Sequence, residues 1–338
     1  MLPFVLFLYE TYFPSTSKND IVCPITSTTI NSGNFYVFGC SFWGITVQGN
    51  GGVFYTQTTT VTKSVIEYCI FSDCGTSNRG GAVFFSCTKG GIALNRVCGY
   101  NVNCQTTGLD TGGIFSFTST EATQINVFDY VSVAKCNCNQ FQTLCAHNGN
   151  QVFTSLNSSN NIVRQYSGVY SYHANAITKF STIFSNSAND YISIGYRYNK
   201  GTNIFQQSNV VSNNSPKGYA VFYTGGATTT EVSFCTFYNN LNTLFILVQG
   251  TKFSISKCFI DHQDTLGSVS FSDNSGFVST YPLEHYGSGI CLGTNELIIE
   301  PTQQPSPTQS PFPTLLPTIK IIKNGGMFSL IFLHIFLI

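Results

Sequence analysis

The chain has 338 residues, with 15 basic and 15 acidic side chains and only 9% charged residues in all. That length admits one large domain or two ordinary ones. The sparse, balanced charge excludes an electrostatic surface for nucleic acid or anionic lipid. Polarity is carried by Ser, Thr, Asn, Gln and Gly, beside 30 Phe and 18 Tyr. Aromatic residues with few Lys and Glu favour strands, and no long 3.6-residue apolar stripe precedes residue 320.

Residues 1–9 (MLPFVLFLY) are apolar but brief and lack a basic flank. A weak or truncated signal peptide and a first buried strand both stay open there. From about residue 34 a three-residue word recurs: Cys40-Ser41-Phe42, Cys69-Ile70-Phe71, Cys98-Gly99-Tyr100, Asp129-Tyr130-Val131, Thr182-Ile183-Phe184, Asn209-Val210-Val211, Cys235-Thr236-Phe237 and Cys258-Phe259-Ile260. First residues are spaced by 29, 29, 31, 53, 27, 26 and 23, the 53 reading as two copies with one worn away. Such a period marks stacked structural repeats.

A second short apolar run precedes each word, as in Ala82-Val83-Phe84-Phe85 and Ala220-Val221-Phe222-Tyr223. Each repeat is then two or three short strands separated by Gly, Ser, Thr and Asn corners. Such strands cannot close a core within one repeat, but coils stacked at about 4.8 Å bury their inward side chains in columns. About nine coils are predicted, a rod on the order of 40–45 Å long. Four residues after each word begins stand Gly44, Asp73, Val102, Val133, Asn186, Asn213, Asn239 and His262. Asn and Asp tolerate left-handed corners, and stacked amides form hydrogen-bonded ladders.

These features resemble a right-handed parallel β-helix built from polymorphic outer-membrane-type repeats, as in chlamydial surface proteins and, more closely, the expanded surface proteins of trichomonad protists. Gly80-Gly81-Ala82-Val83 fits the GGA-I signature and Phe237-Tyr238-Asn239-Asn240 the F-x-x-N signature, with near matches at Gly112-Gly113-Ile114 and Phe71-Ser72-Asp73-Cys74. The resemblance covers roughly residues 34–280. The expected organisation is an N-terminal segment (1–33), an all-β parallel β-helix (34–286), a stalk (287–319) and a C-terminal anchor (320–338).

The stalk includes EPTQQPSPTQSPFPTLLP at 300–317, a composition that cannot bury a core and stays extended. Residues 327–338 (MFSLIFLHIFLI) form an apolar tail. At 1.5 Å per residue it reaches about 18 Å, short of a ~30 Å hydrocarbon layer. A short membrane anchor, a lipid-attachment signal at Asn324-Gly325-Gly326 and a frayed apolar end remain open, and the position after a stalk favours membrane attachment.

Thirteen cysteines and two sequons, at Asn157 and Asn213, point to an oxidising, extracellular compartment with those asparagines as glycan acceptors. Cys40, Cys69 and Cys98 are expected to form an inner thiol column, with Cys74 and Cys104 better placed to bridge. The candidate metal cluster is Cys136, Cys138, Cys145 and His147, whose spacing is not a usual zinc pattern, so disulfides or buried thiols are the stronger reading. The parallel β-helix resembles that of pectate lyases and polygalacturonases. The nearest catalytic candidate is Asp261, His262 and Asp264, but no second acidic layer stacks on it and it reads as a solvated turn. The lone Trp43 is a sugar-stacking platform or, more simply, a packed cap.

The resemblance implies a cell-surface protein, anchored at its C-terminus, that displays a polar rod for adhesion or contact with host or environmental glycans or surface proteins. No catalysis, cofactor or nucleic acid is called for. A polysaccharide lyase or glycoside hydrolase on the same fold is the first alternative, and a structural coat protein without a ligand the second.

Overall fold

The structure is a computed structural model. It describes residues 9–287 and 291, apart from 10, 15, 106–112, 139–141, 190–191, 200, 216–219, 227, 242, 248–249, 275–279. The expected stalk beyond 291 and the apolar tail lie outside the described residues, as do residues 1–8. Among the described residues no helix is long and apolar enough to cross a membrane.

The chain winds as a right-handed parallel β-helix. Every strand pairing described is parallel, and the strands fall into three sheets running along the rod, of 18, ten and six strands. We term them sheets A, B and C. Single bridges at Asn214 and Leu241 extend sheet C, so that eight coils carry all three faces and partial coils stand at both ends. The coil stack begins before residue 34. Asn19–Ile21 pairs with Phe35–Phe38 in sheet A, and Thr28–Ile30 pairs with Phe54–Thr58 in sheet B.

Sheet A is wide because two short strands per coil are joined by one left-handed residue. Tyr68, Arg96, Tyr130, Ser155, Phe180, Gln207, Phe234 and Lys257 occupy this bend with φ of 49–54°. A second left-handed column, including Asp73, Asn101, Asn160, Ser212 and Asn239, turns the chain from sheet A to sheet C. A left-handed non-glycine residue costs about 1–2 kcal/mol. Each cost is offset because the amide then reaches the next coil, as in Tyr68 N–H to Asn95 O at 3.1 Å and Asp73 N–H to Tyr100 O at 3.0 Å.

Inside, like positions stack. Phe42 lies on Phe71 at 4.9 Å between centroids and Phe128 on Phe153 at 4.8 Å. The register corrects the sequence reading. Phe71 pairs with Gly99, not Tyr100, and Val210 with Phe237, so several words are shifted by one residue or more. A one-residue slip exchanges inside for outside. Gly99 faces inward because the Phe115 ring fills its place; a Cβ there would meet that ring at 2.4 Å. The worn copy is Leu156-Asn157-Ser158, paired with Val133 through Ser158.

The slip decides the cysteine chemistry. Cys40 and Cys69 share an inner column, but Cys98 points outward and forms a disulfide with Cys291. Cys40 bonds Cys23, and Cys74 stays a buried thiol that donates to Phe42 O and Ser72 O. Neither Cys74 nor Cys104, expected to be better placed to bridge, forms a disulfide.

The amide ladder is present with a shifted membership: Asn161, Asn186, Asn213 and Asn240. The Oδ1 of each accepts the backbone N–H one coil earlier: Cys136 to Asn161 at 2.9 Å, Asn161 to Asn186 at 2.9 Å, Asn186 to Asn213 at 3.1 Å and Asn213 to Asn240 at 3.0 Å. Their Nδ2 atoms donate to Val133, Ser158, Ile183 and Val210 carbonyls at 2.8–3.1 Å. Asn239 instead holds the exposed left-handed corner.

Candidate functional site

The sequence-predicted residues do not converge. Asp261 and Asp264 are exposed. Asp261 pairs with His262 Nδ1 at 2.7 Å and caps the Asn239 N–H, while Asp264 accepts from Thr243 Oγ1 at 3.4 Å. They make a capped, solvated turn. Cys136 and Cys138 face the interior near sheet C, whereas Cys145 and His147 lie on the outer face of sheet B. The cluster is split by the sheet, and no metal-binding group occurs among the described residues. Both sequon asparagines are fully buried, and Asn213 spends its amide on the ladder, so the folded coil leaves neither as an open acceptor. Trp43 is not a packed cap: it is 55% exposed on sheet A.

Two outer faces carry denser chemistry. On sheet A, Glu67, Asn95 and Asp129 share one column in successive coils. Glu67 is fully buried, accepting from Tyr36 Oη at 2.8 Å and Asn95 Nδ2 at 2.9 Å. Burial pushes its carboxyl above the usual range, against those two bonds and the charge of Arg96. Asp129 is half-buried and also pushed up by burial, with Arg96 and the Tyr12 hydroxyl opposing. Two coil spacings put these carboxylates about 9.6 Å apart. Beside them Arg96 is held between the Tyr68 and Tyr130 rings, 5.2 Å from each centroid.

This face is roofed by segments near both ends of the described residues. Tyr9 and Phe13 pack on Tyr36, Val65 and Ala93. From the other side, residues 281–287, together with Cys291, lie along sheet A as a strap. Asn209 exchanges two bonds with the Tyr281 backbone, each 2.9 Å, and His285 Nε2 meets Thr182 Oγ1 at 2.7 Å. Further along, Ser132 Oγ donates to Tyr286 O, and the strap ends at the Cys98–Cys291 disulfide. Both Glu67 oxygens are taken by Tyr36 and Asn95, and Asp129 accepts from Tyr12 Oη of the N-terminal segment at 3.5 Å, so these carboxyls do not face an open cleft.

Sheet B differs. Its outer positions form an aromatic ladder along the rod. Tyr55 stacks on Phe84 at 5.3 Å and Phe84 on Phe117 at 5.0 Å, with interplanar angles of 19° and 15°. His147 continues the row at 5.3 Å from Phe117 and 6.2 Å from Tyr170. Gly195 leaves a missing rung, and Tyr166 fills it, stacking on Tyr170 at 4.1 Å. Arg79 lies over Phe117 at 5.4 Å and Arg197 over Tyr198 at 5.0 Å. Burial, aided by Arg79, lowers the His147 pKa to about 4, so it is neutral at physiological pH and the arginines supply the charge.

No family model, curated protein or solved structure matches the chain. The sequence reading missed Glu67, Asp129, Arg79 and Arg197. Glu67 and Asp129 gave a faint signal as rare carboxylates beside the repeated word. Their alignment needed the true register, in which Asn95 stands between them.

Proposed function

We propose that this chain is an exported, surface-displayed β-helix rod that contacts glycans or surface proteins without cleaving them. The observation that carries this reading is the pair of disulfides, Cys23–Cys40 and Cys98–Cys291. They tie segments near both ends of the described chain onto the rod, a device suited to an oxidising, extracellular setting. Support also comes from the resemblance to polymorphic outer-membrane-type repeat proteins, and from the Pro-rich segment and apolar tail, read as a stalk and a C-terminal membrane attachment. The test is staining of intact and permeabilised cells with antibody to residues 34–286. Staining of intact cells supports display; staining only after permeabilisation overturns it.

A polysaccharide-cleaving enzyme is the second reading, favoured by one observation: Glu67 and Asp129 share a column and burial holds both carboxyls towards the protonated form. Two carboxyls at about such a separation flank the bond in inverting hydrolysis, which further requires that one of the pair give up its proton to serve as base.

A further inference from the structure

We propose that the column Asn157–Thr182–Asn209 on the outer face of sheet A is a docking groove for the proline-rich segment, residues 300–317, of a second copy of this chain. The strap, residues 281–287, is the built-in cover of that groove. Three observations carry the proposal.

The first is how the strap is held. It makes no strand pairing among the described residues. Instead Asn209 reads the backbone of a single residue: its Nδ2 donates to Tyr281 O and its Oδ1 accepts from Tyr281 N–H, both at 2.9 Å. Tyr281 precedes Pro282, which keeps its backbone extended. The seat therefore takes an X-Pro backbone, and these two bonds make no demand on the side chain of X.

The second is an amide left over. Asn157 is in register with Thr182, and Thr182 with Asn209, so the two amides stand in one column two coils apart. Asn157 is fully buried, yet neither its Nδ2 nor its Oδ1 has a partner. The strap explains both facts. It bonds the hydroxyls on either side, Ser132 Oγ through Tyr286 O and Thr182 Oγ1 through His285 Nε2, and so shields Asn157. But Leu283 N–H turns back onto Tyr281 O at 2.8 Å, a γ-turn about Pro282 that puts the following residues out of step with the second amide. A buried amide without partners opposes closure, so the strap is a poor match to its own seat.

The third is a period. Two coil steps are about 9.6 Å. A polyproline II strand has three residues per turn and rises about 3.1 Å per residue, so residues i and i+3 present the same side about 9.3 Å apart, with no internal backbone bonds. Such a strand serves both amides. Residues 300–317 read EPTQQP, SPTQSP and FPTLLP, three tandem copies of X-Pro-Thr-x-x-Pro, a composition that favours polyproline II. Each copy offers X-Pro at i, like Tyr281-Pro282, and an N–H at i+3: Glu300 with Gln303, Ser306 with Gln309, and Phe312 with Leu315. The strap, held by side-chain bonds, opens as a local unit, and the incoming strand bonds at both amides. Cys291 is tied to Cys98, two coils past Asn157. To enter in the direction of the strap, the chain's own segment has to double back four coils, about 19 Å. A neighbour's segment enters directly.

The test uses the full chain, purified in mild detergent, and a fluorescent peptide of residues 304–311 (QPSPTQSP), which holds one such pair, Ser306 with Gln309. Cys98→Ser with Cys291→Ser frees one end of the strap and is expected to bind the peptide roughly tenfold more tightly than the native chain, because less closed groove remains. Asn157→Ala is expected to weaken binding roughly tenfold with no fall in melting temperature, since its amide has no bond to lose in the closed groove. The same peptide N-methylated at Ser306 and Gln309 keeps every side chain and is expected not to bind. Sedimentation of the native chain is expected to show concentration-dependent association that excess peptide abolishes. Equal binding of the N-methylated peptide, or binding unchanged in Asn157→Ala, overturns the groove. A native chain that stays monomeric at every concentration overturns the second copy as occupant, and peptide binding that rises on deleting residues 300–317 then assigns the segment to its own groove. No peptide binding to any form overturns the inference, while cell staining separately decides display.

Discussion

The amide ladder makes the sharpest energetic test. Asn213 Oδ1 accepts from the Asn186 backbone N–H at 3.1 Å and from Asn186 Nδ2 at 3.2 Å. Its Nδ2 donates to Ile183 O at 2.8 Å, to Val211 O at 3.1 Å and to Asn240 Oδ1 at 3.0 Å. Asn213→Ala strands at least one buried backbone donor and one buried acceptor. At about 1–3 kcal/mol for each unsatisfied group, the expected loss is about 2–6 kcal/mol. Asn239→Gly is the control. Asn239 is exposed with φ of 53°, so glycine relieves its left-handed corner and removes only an exposed bond to Ser212 Oγ. That change is expected to fall within about 0.5 kcal/mol. Urea titration followed by far-ultraviolet circular dichroism measures both, and amide exchange locates the damage. In a stacked repeat the loss is expected at neighbouring coils first, with the Asn186 N–H exchanging faster. If Asn213→Ala costs no more than Asn239→Gly, the ladder is not the stabilising element described.

Gly195→Ala places a Cβ 2.2 Å from the Tyr166 ring, so overpacking is expected to cost about 1–3 kcal/mol; an unchanged melting temperature contradicts the missing-rung geometry. Cys98→Ser with Cys291→Ser opens a link spanning 193 residues. Chain entropy allows up to about 5 kcal/mol of lost stability. Chymotrypsin is expected to cut at Tyr281 or Tyr286 under native conditions, and a resistant strap refutes its dependence on the disulfide. Glu67 is raised from its ordinary value of 4.5 by burial. The folded chain therefore keeps the proton to higher pH than the unfolded chain, and stability falls as pH rises between the two values. Glu67→Gln removes this titration, so its stability relative to the native chain is expected to improve as pH rises through the weakly acidic range. A pH-independent difference sinks the assignment.

The solenoid was legible because its signal is repeated. Short apolar runs at a steady period permit one core, and the corners supply residues that tolerate positive φ. Register was less legible, because Cys98-Gly99-Tyr100 resembles the preceding words while the chain places Gly99, not Tyr100, opposite Phe71. Only the Phe115 ring, from another sheet, explains that shift. The ladder was found in kind but displaced at one end, since Asn239 and Asn240 are adjacent amides with opposite roles. The two outer faces were hidden for the same reason: Glu67 and Asp129 meet only through the register, and the strap returns from 154 residues away to reach Ser132. The ring stack of sheet B was present as alternating aromatic residues, but Tyr166 filling the place of Gly195 is a packing fact with no periodic signature.

The measurement that bears most directly on contact without cleavage is one incubation of the purified full chain with plant, mucin and glycosaminoglycan polysaccharides, reading retention and new chain ends in the same tubes. The expected result is retention with no new ends. New chain ends that vanish in Glu67→Gln or Asp129→Asn would contradict the account and make the roofed face of sheet A an active site.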